Sequence, residues 1–153
     1  MTISYWLMKT EPGCYSIDDL QKDKVTYWDG VRNYQARNFM RDQMQVGDMV
    51  LFYHSNAEPS GISGIARVTK TGYPDPSQLD PQDKHFEPRA TSKNPIWVVV
   101  DVQFVKKFKK LLELSFLREC PGLEKMALLQ KGSRLSVQPV TEKEFKIIEQ
   151  MAG

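Results

Sequence analysis

The sequence predicts an α+β domain built on a small curled sheet or partly open barrel. Five or six segments of strand length are separated by short helical ones. Glycines such as Gly64 interrupt apolar strands where a sheet would bend. No glycine-rich phosphate loop argues for a parallel doubly wound sheet instead. A length of 153 residues suits one domain spanning 1–153, with enough buried surface to need no disulfide staple.

Tyr5-Trp-Leu-Met8 is apolar at successive positions, so a strand over Ser4–Lys9 is expected to be buried on both faces. It runs into Lys9, Thr10 and Glu11, and Pro12, which has no N–H, ends its pairing. Ser16-Ile-Asp-Asp19 is an acidic capping box opening a short helix that fades by Asp23. Val25–Trp28 reads as a short strand closed by the Asp29-Gly30 turn. Asn33 caps a helix in which Tyr34, Ala36, Phe39, Met40 and Met44 fall near helical spacing. Gly47-Asp48 then turns the chain into an apolar strand, Met49–Tyr53.

After the loop Ser55–Gly61, the β-branched stretch Ile62–Tyr73, broken by Gly64, reads as a bent or bulged strand. Pro74–Pro95 is polar, contains five prolines, and is long enough to be functional or mobile. Ile96–Phe108 sets Val98, Val100, Val102 and Phe104 against Val99, Asp101, Gln103 and Val105, a long strand with one wetter face. Lys106–Lys110 reads as its solvated basic end. Leu111–Glu119 and Glu124–Gln130 are expected to be helical pieces around Pro121-Gly122. Arg134–Val137 reads as the last strand, and Thr141-Glu-Lys-Glu144 caps a final helix.

Composition narrows the function. With 41% hydrophobic and 26% charged residues and no bilayer-length apolar run, no membrane role is expected. The N-terminus lacks a basic region leading into an apolar stretch, which points to a cytoplasmic protein. A net charge of +2, from 21 Lys and Arg against 19 Asp and Glu, is too small for coating nucleic acid by charge alone. Nucleic-acid binding would therefore need a defined site. Cys14 and Cys120 lack C-x-x-C spacing and are expected to be reduced, buried thiols. His54 and His85 lack zinc spacing, so neither a metal nor another cofactor is expected.

Polar and aromatic residues cluster where apolar strands stop: Lys9, Thr10 and Glu11; Trp28 with Asp29; His54, Ser55 and Asn56; Ser133 and Arg134. Converging strand ends of this kind can build a pocket mouth. Each residue also has a plain structural reading. Lys9 and Glu11 can form an exposed pair on one strand face, Trp28 can be core, His54 a satisfied strand histidine, and Arg134 a loop arginine paired with an acid. The stretch Trp28–Asn33 favours a ligand, because a flat ring lies beside a glycine turn and a helix start whose N–H groups could meet carbonyl or anionic oxygens. As a ligand wall, Trp28 is expected to tolerate truncation.

The blocks YWLMKTEP, WDGVRNYQARNFMR, GDMVLFYHSN, GIARV and LLQKGSRLSVQPV, in order along the chain, resemble the EVE domain family. That resemblance implies a PUA-like small mixed β pseudo-barrel flanked by short helices, similar to the domains that read methylated adenine in RNA. It implies a pocket for a modified base flipped from its strand, a modified cytosine in DNA being favoured over an RNA partner, with the domain a monomer by default. Carried over by position, the pocket comprises Lys9, Thr10, Glu11 and Trp28, with His54, Ser55 and Asn56 from the block after the central strand, and Asn33 and Arg134 in matching blocks. The rival readings are an RNA-binding PUA-type module and a small amidohydrolase acting on a modified nucleoside. The amidohydrolase would need Lys9, Thr10 and Glu11 as base, nucleophile and acid, and a regular strand points Thr10 away from the other two.

Overall fold

The computed structural model describes residues 3–131 and 135–152. β1 (Tyr5–Thr10) is buried on both faces, sending Trp6 and Met8 into one apolar core and Tyr5 and Leu7 into a second. β3 (Met49–His54) does the same with Val50 and Phe52 against Leu51 and Tyr53. Each such fully buried side chain contributes about 1.5–3 kcal/mol relative to an exposed one.

Together with β2 (Val25–Tyr27), β4 (Gly61–Pro74), β5 (Val98–Glu113) and β6 (Val137–Val140), they form a six-stranded sheet of order β2-β5-β4-β3-β1-β6. β1 and β3 are parallel, and the other neighbours antiparallel. Register shifts in β3–β4 and β4–β5 bend the sheet. The first core thereby takes in both Val137 from one edge and Trp28 from beside the other. The architecture is a mixed α+β pseudo-barrel.

Gly64 marks one bend, as expected, for a side chain there would collide with the Lys106 carbonyl oxygen. Long β5 serves both cores, Val98, Val100 and Val102 facing the first and Phe108 and Leu112 the second.

The short helices begin as the sequence implies. Ser16 and Asp19 form a reciprocal capping box on α1 (Ile17–Asp23), and Thr141 and Glu144 form another on α4 (Glu142–Met151). Asn33 caps α2 (Tyr34–Asn38), which continues as a π-helical turn over Phe39–Gln43.

Other segments differ from expectation. Leu111–Glu113 is strand, not helix, and only Leu114–Leu117 (α3) is helical, because β4 offers Gly61 and Ile62 as partners to Glu113 and Leu112. A side chain on Gly61 would collide with the Leu112 carbonyl oxygen, so the glycine permits this pairing. Lys106–Lys110 accordingly lies within β5, not at its end. Around 124–130 only Ala127–Leu129 forms a 3-10 turn, which sends Leu128 into the second core, while Leu123 and Met126 reach it from irregular chain. The last strand begins at Val137, where pairing with Met8 of β1 begins, and residues 132–134, including Arg134, lie outside the described residues.

The long polar segment is packed around two fully buried polar side chains, Asp75 and Gln78. Gln78 donates through Nε2 to the carbonyls of Asp75 and Trp97 and accepts at Oε1 from the N–H groups of Ile96 and Trp97. A chain with little regular structure thus satisfies its backbone through side chains.

Candidate functional site

Because β1 and β3 run parallel in register, with Thr10 opposite His54, their C-terminal ends stop together. The Ser55 N–H donates to the Thr10 carbonyl at 2.9 Å and locks the two ends. An open cleft of about 1220 Å³ begins there. One wall is Lys9, Thr10 and Glu11 with Ser55 and Asn56; the other is Thr26–Gly30 with residues 82–85 of the long segment, and Cys14, Tyr15 and Ser136 complete the rim.

Of the residues singled out from sequence, Lys9, Thr10, Glu11, Trp28, Ser55 and Asn56 converge on this cleft. His54 and Asn33 do not line it. His54 Nε2 accepts the Ile17 N–H at 3.1 Å and so holds the start of α1, and Asn33 accepts the Ala36 N–H at 2.9 Å. Cys14 is exposed at the cleft, not buried, whereas Cys120 is buried.

Lys9 carries its ammonium 5.9 Å from the centre of the Tyr53 ring, and partial burial lowers its pKa. Thr10 Oγ1 donates a long hydrogen bond, 3.5 Å, to the Glu11 carbonyl. After Glu11 the chain leaves the sheet, the Glu11 carbonyl accepting from the N–H groups of Cys14 and Tyr15. Asn56 has a positive φ of 49°, a conformation that asparagine tolerates better than most side chains.

The opposite wall is core and surface at once. Trp28 is only 7% exposed, and its ring packs edge-on against Phe52 with centroids 5.3 Å apart. That corrects the expectation of a wall indifferent to truncation. Gly30 follows at φ +80°, and a Cβ on it would lie 2.7 Å from the His85 ring, so glycine lets the loop histidine close against the turn. The Gly30 N–H donates to Asp75 Oδ2 at 2.9 Å and is not open to a ligand, contrary to the sequence reading of this stretch.

Asp75 anchors the whole wall. It also accepts from Arg32 at 3.0 Å and from the Ser77 N–H and hydroxyl at 2.8 and 2.6 Å. Arg32 in turn donates twice to the His85 carbonyl, at 3.1 and 2.6 Å. Burial pushes the Asp75 pKa up, but the bonds from Ser77, Gly30 and Arg32 outweigh it and hold the carboxyl below its ordinary value. Asp29, beside Trp28, is pushed the other way, by burial and by the charges of Asp75 and Asp83.

Sequence reasoning placed Asp29 with Trp28 at a strand end and Gly30 in a turn, but gave His85 no role and showed no link between them. The turn and His85 reach the cleft through Asp75 and Arg32, and no periodicity marks such a contact.

A family model described as the EVE domain matches residues 4–151. The chain belongs to the EVE domain family. It is 40% identical over 163 residues to human thymocyte nuclear protein 1, covering 95% of this chain and 72% of that protein. Among solved structures this EVE domain is similar to a protein from Pseudomonas syringae, with TM-score 0.94 and 47% identity over 98% of this chain and 100% of that one. It is also similar to human THYN1 protein solved in complex with DNA containing 5-methylcytosine, with TM-score 0.88 and 40% identity over 97% of each chain. Among the described residues, no helix of this EVE domain is long and apolar enough to cross a membrane.

Proposed function

We propose that this EVE domain is a binding module for modified cytosine in DNA, the base being turned out of its strand into the cleft between the β1–β3 ends and Trp28. The observation that carries this reading is the convergence of Trp28 with Lys9, Thr10, Glu11, Ser55 and Asn56 on one open cleft. A human relative crystallised with 5-methylcytosine DNA supports it.

The energetics require both kinds of group. Stacking on one aromatic contributes about 1–3 kcal/mol, while extruding a paired base costs a few kcal/mol. Hydrogen bonds from the strand-end side chains and some phosphate contact supply the difference. Burying one methyl contributes about 0.8 kcal/mol, roughly fourfold in affinity, and a close fit raises this to at most about 200-fold.

Titration of single-stranded and duplex oligonucleotides, each with cytosine or 5-methylcytosine, tests the reading through tryptophan fluorescence. The expected order places methylated above plain cytosine, and unpaired above paired. Equal affinity for all four would leave an unspecific nucleic-acid binder.

A further inference from the structure

A cleft selective for methylcytosine faces a competitor present throughout DNA. Thymine carries the same methyl group on an equally flat ring, so neither stacking on Trp28 nor a methyl-sized space separates the two. Only the pairing edge differs. Cytosine presents an exocyclic amino donor where thymine presents a carbonyl oxygen, and carboxylates are the side chains suited to accept from that amino group.

The carboxylates lining the cleft are those of Glu11, Asp29 and Asp83. Asp83 accepts from the His85 N–H at 2.8 Å and lies 3.4 Å from the His85 ring nitrogen. Glu11 belongs to the opposite wall, at the end of β1. Asp29 directly follows Trp28, and its position is fixed by the Trp28 N–H bond to Val100 at 2.8 Å and the Gly30 N–H bond to Asp75. None of the ion pairs among the described residues involves it. The charges of Asp75 and Asp83 repel it and that of His85 attracts it. Its backbone is therefore held next to the stacking ring, and its carboxylate, which accepts from its own N–H, keeps lone pairs for a further donor.

We propose that Asp29 is the residue that selects cytosine over thymine, its carboxylate accepting a hydrogen bond from the exocyclic amino group of a base stacked on Trp28. This rests on the reading of the cleft as a modified-cytosine site. Thymine in the same pose turns its carbonyl oxygen toward a carboxylate, and neither group can donate.

The test compares wild type with Asp29→Asn on single-stranded oligonucleotides carrying one 5-methylcytosine, one thymine, or one 5-methyl-2-pyrimidinone, which has hydrogen in place of the amino group. Wild type is expected to favour methylcytosine over each of the others by about 5- to 150-fold. An asparagine amide rotates to accept or donate, so the variant is expected to gain thymine affinity and narrow that ratio at least fivefold. An unchanged ratio in Asp29→Asn overturns the proposal and assigns the amino group to another acceptor, such as a backbone carbonyl. The pyrimidinone comparison needs no variant, and equal wild-type affinity for it and methylcytosine overturns the proposal even if Asp29→Asn fails to fold. A further oligonucleotide with plain cytosine reports on the parent reading. Equal wild-type binding of all four sinks both, whereas methyl preference without cytosine-over-thymine preference sinks Asp29 alone.

Discussion

The two walls of the cleft are held by different physics. Lys9, Thr10, Ser55 and Asn56 continue strands or follow them directly, so the β1–β3 ladder fixes their backbone. Their side chains need contribute little to that. Trp28–Gly30 and residues 82–85 come from irregular chain and are held by a buried carboxylate, an arginine and an indole packed in the core. A wall built from ladder ends can keep its polar groups for a ligand, while a wall built from loops uses many of its own to exist. Substitutions on the loop wall should therefore be felt first in stability, and those on the strand-end wall first in binding.

The largest effect is expected at Trp28. Trp28→Ala should destabilise the domain by about 3–5 kcal/mol, since the indole leaves a cavity against Phe52, and should abolish base binding. Denaturant unfolding measures the first and titration the second. A variant as stable as wild type would break the distinction between the walls.

Asp75→Ala comes next, at about 3 kcal/mol, because Arg32 and two backbone N–H groups lose a buried acceptor together. The sign of its pH dependence follows from its depressed pKa. Its stabilisation is present above the unfolded carboxylate value of about 3.9 and is lost as pH falls through the folded value. Acid unfolding of the variant should accordingly lack part of the wild-type decline below pH ~4.

His54 sharpens the comparison from the strand side. Burial lowers its pKa, so above pH ~6.5 it is neutral in both states and stability is unaffected. Below that, the unfolded chain takes up a proton that the fold resists, and stability falls until the folded value is reached. Protonation at Nε2 also removes the acceptor of the Ile17 N–H. His54→Ala should cost about 1 kcal/mol at pH ~8 and flatten the decline, seen as melting temperature against pH.

The smallest stability effect is expected for Lys9→Met, within about 0.5 kcal/mol. Its binding should nevertheless weaken about tenfold or more, as for loss of a charged hydrogen bond. If Lys9 meets a phosphate, the salt slope on single strands falls by about 0.7; if it meets the base, the slope is unchanged.

The sequence alone determined the elements whose cause is local. The capping side chains of Ser16, Asn33 and Thr141, the doubly apolar strands β1 and β3, and the glycine at the β4 bend are visible because each leaves its mark within a few residues of sequence. The strand-end wall was legible for the same reason: polar residues ending an apolar strand mark a place where burial stops. Trp28 was legible too, as an aromatic ring at a strand end beside a glycine turn.

Tertiary structure decided what depends on distant partners. Leu111–Glu113 became strand because Gly61 leaves room for it, and His54 turned to α1 because Ile17 offers an N–H there. The second wall exists because Arg32 and Asp75, far apart in sequence, meet around Gly30 and His85. A half-buried ion pair has no periodicity, and either partner alone looks like an ordinary surface charge, so only folding shows which wall it builds.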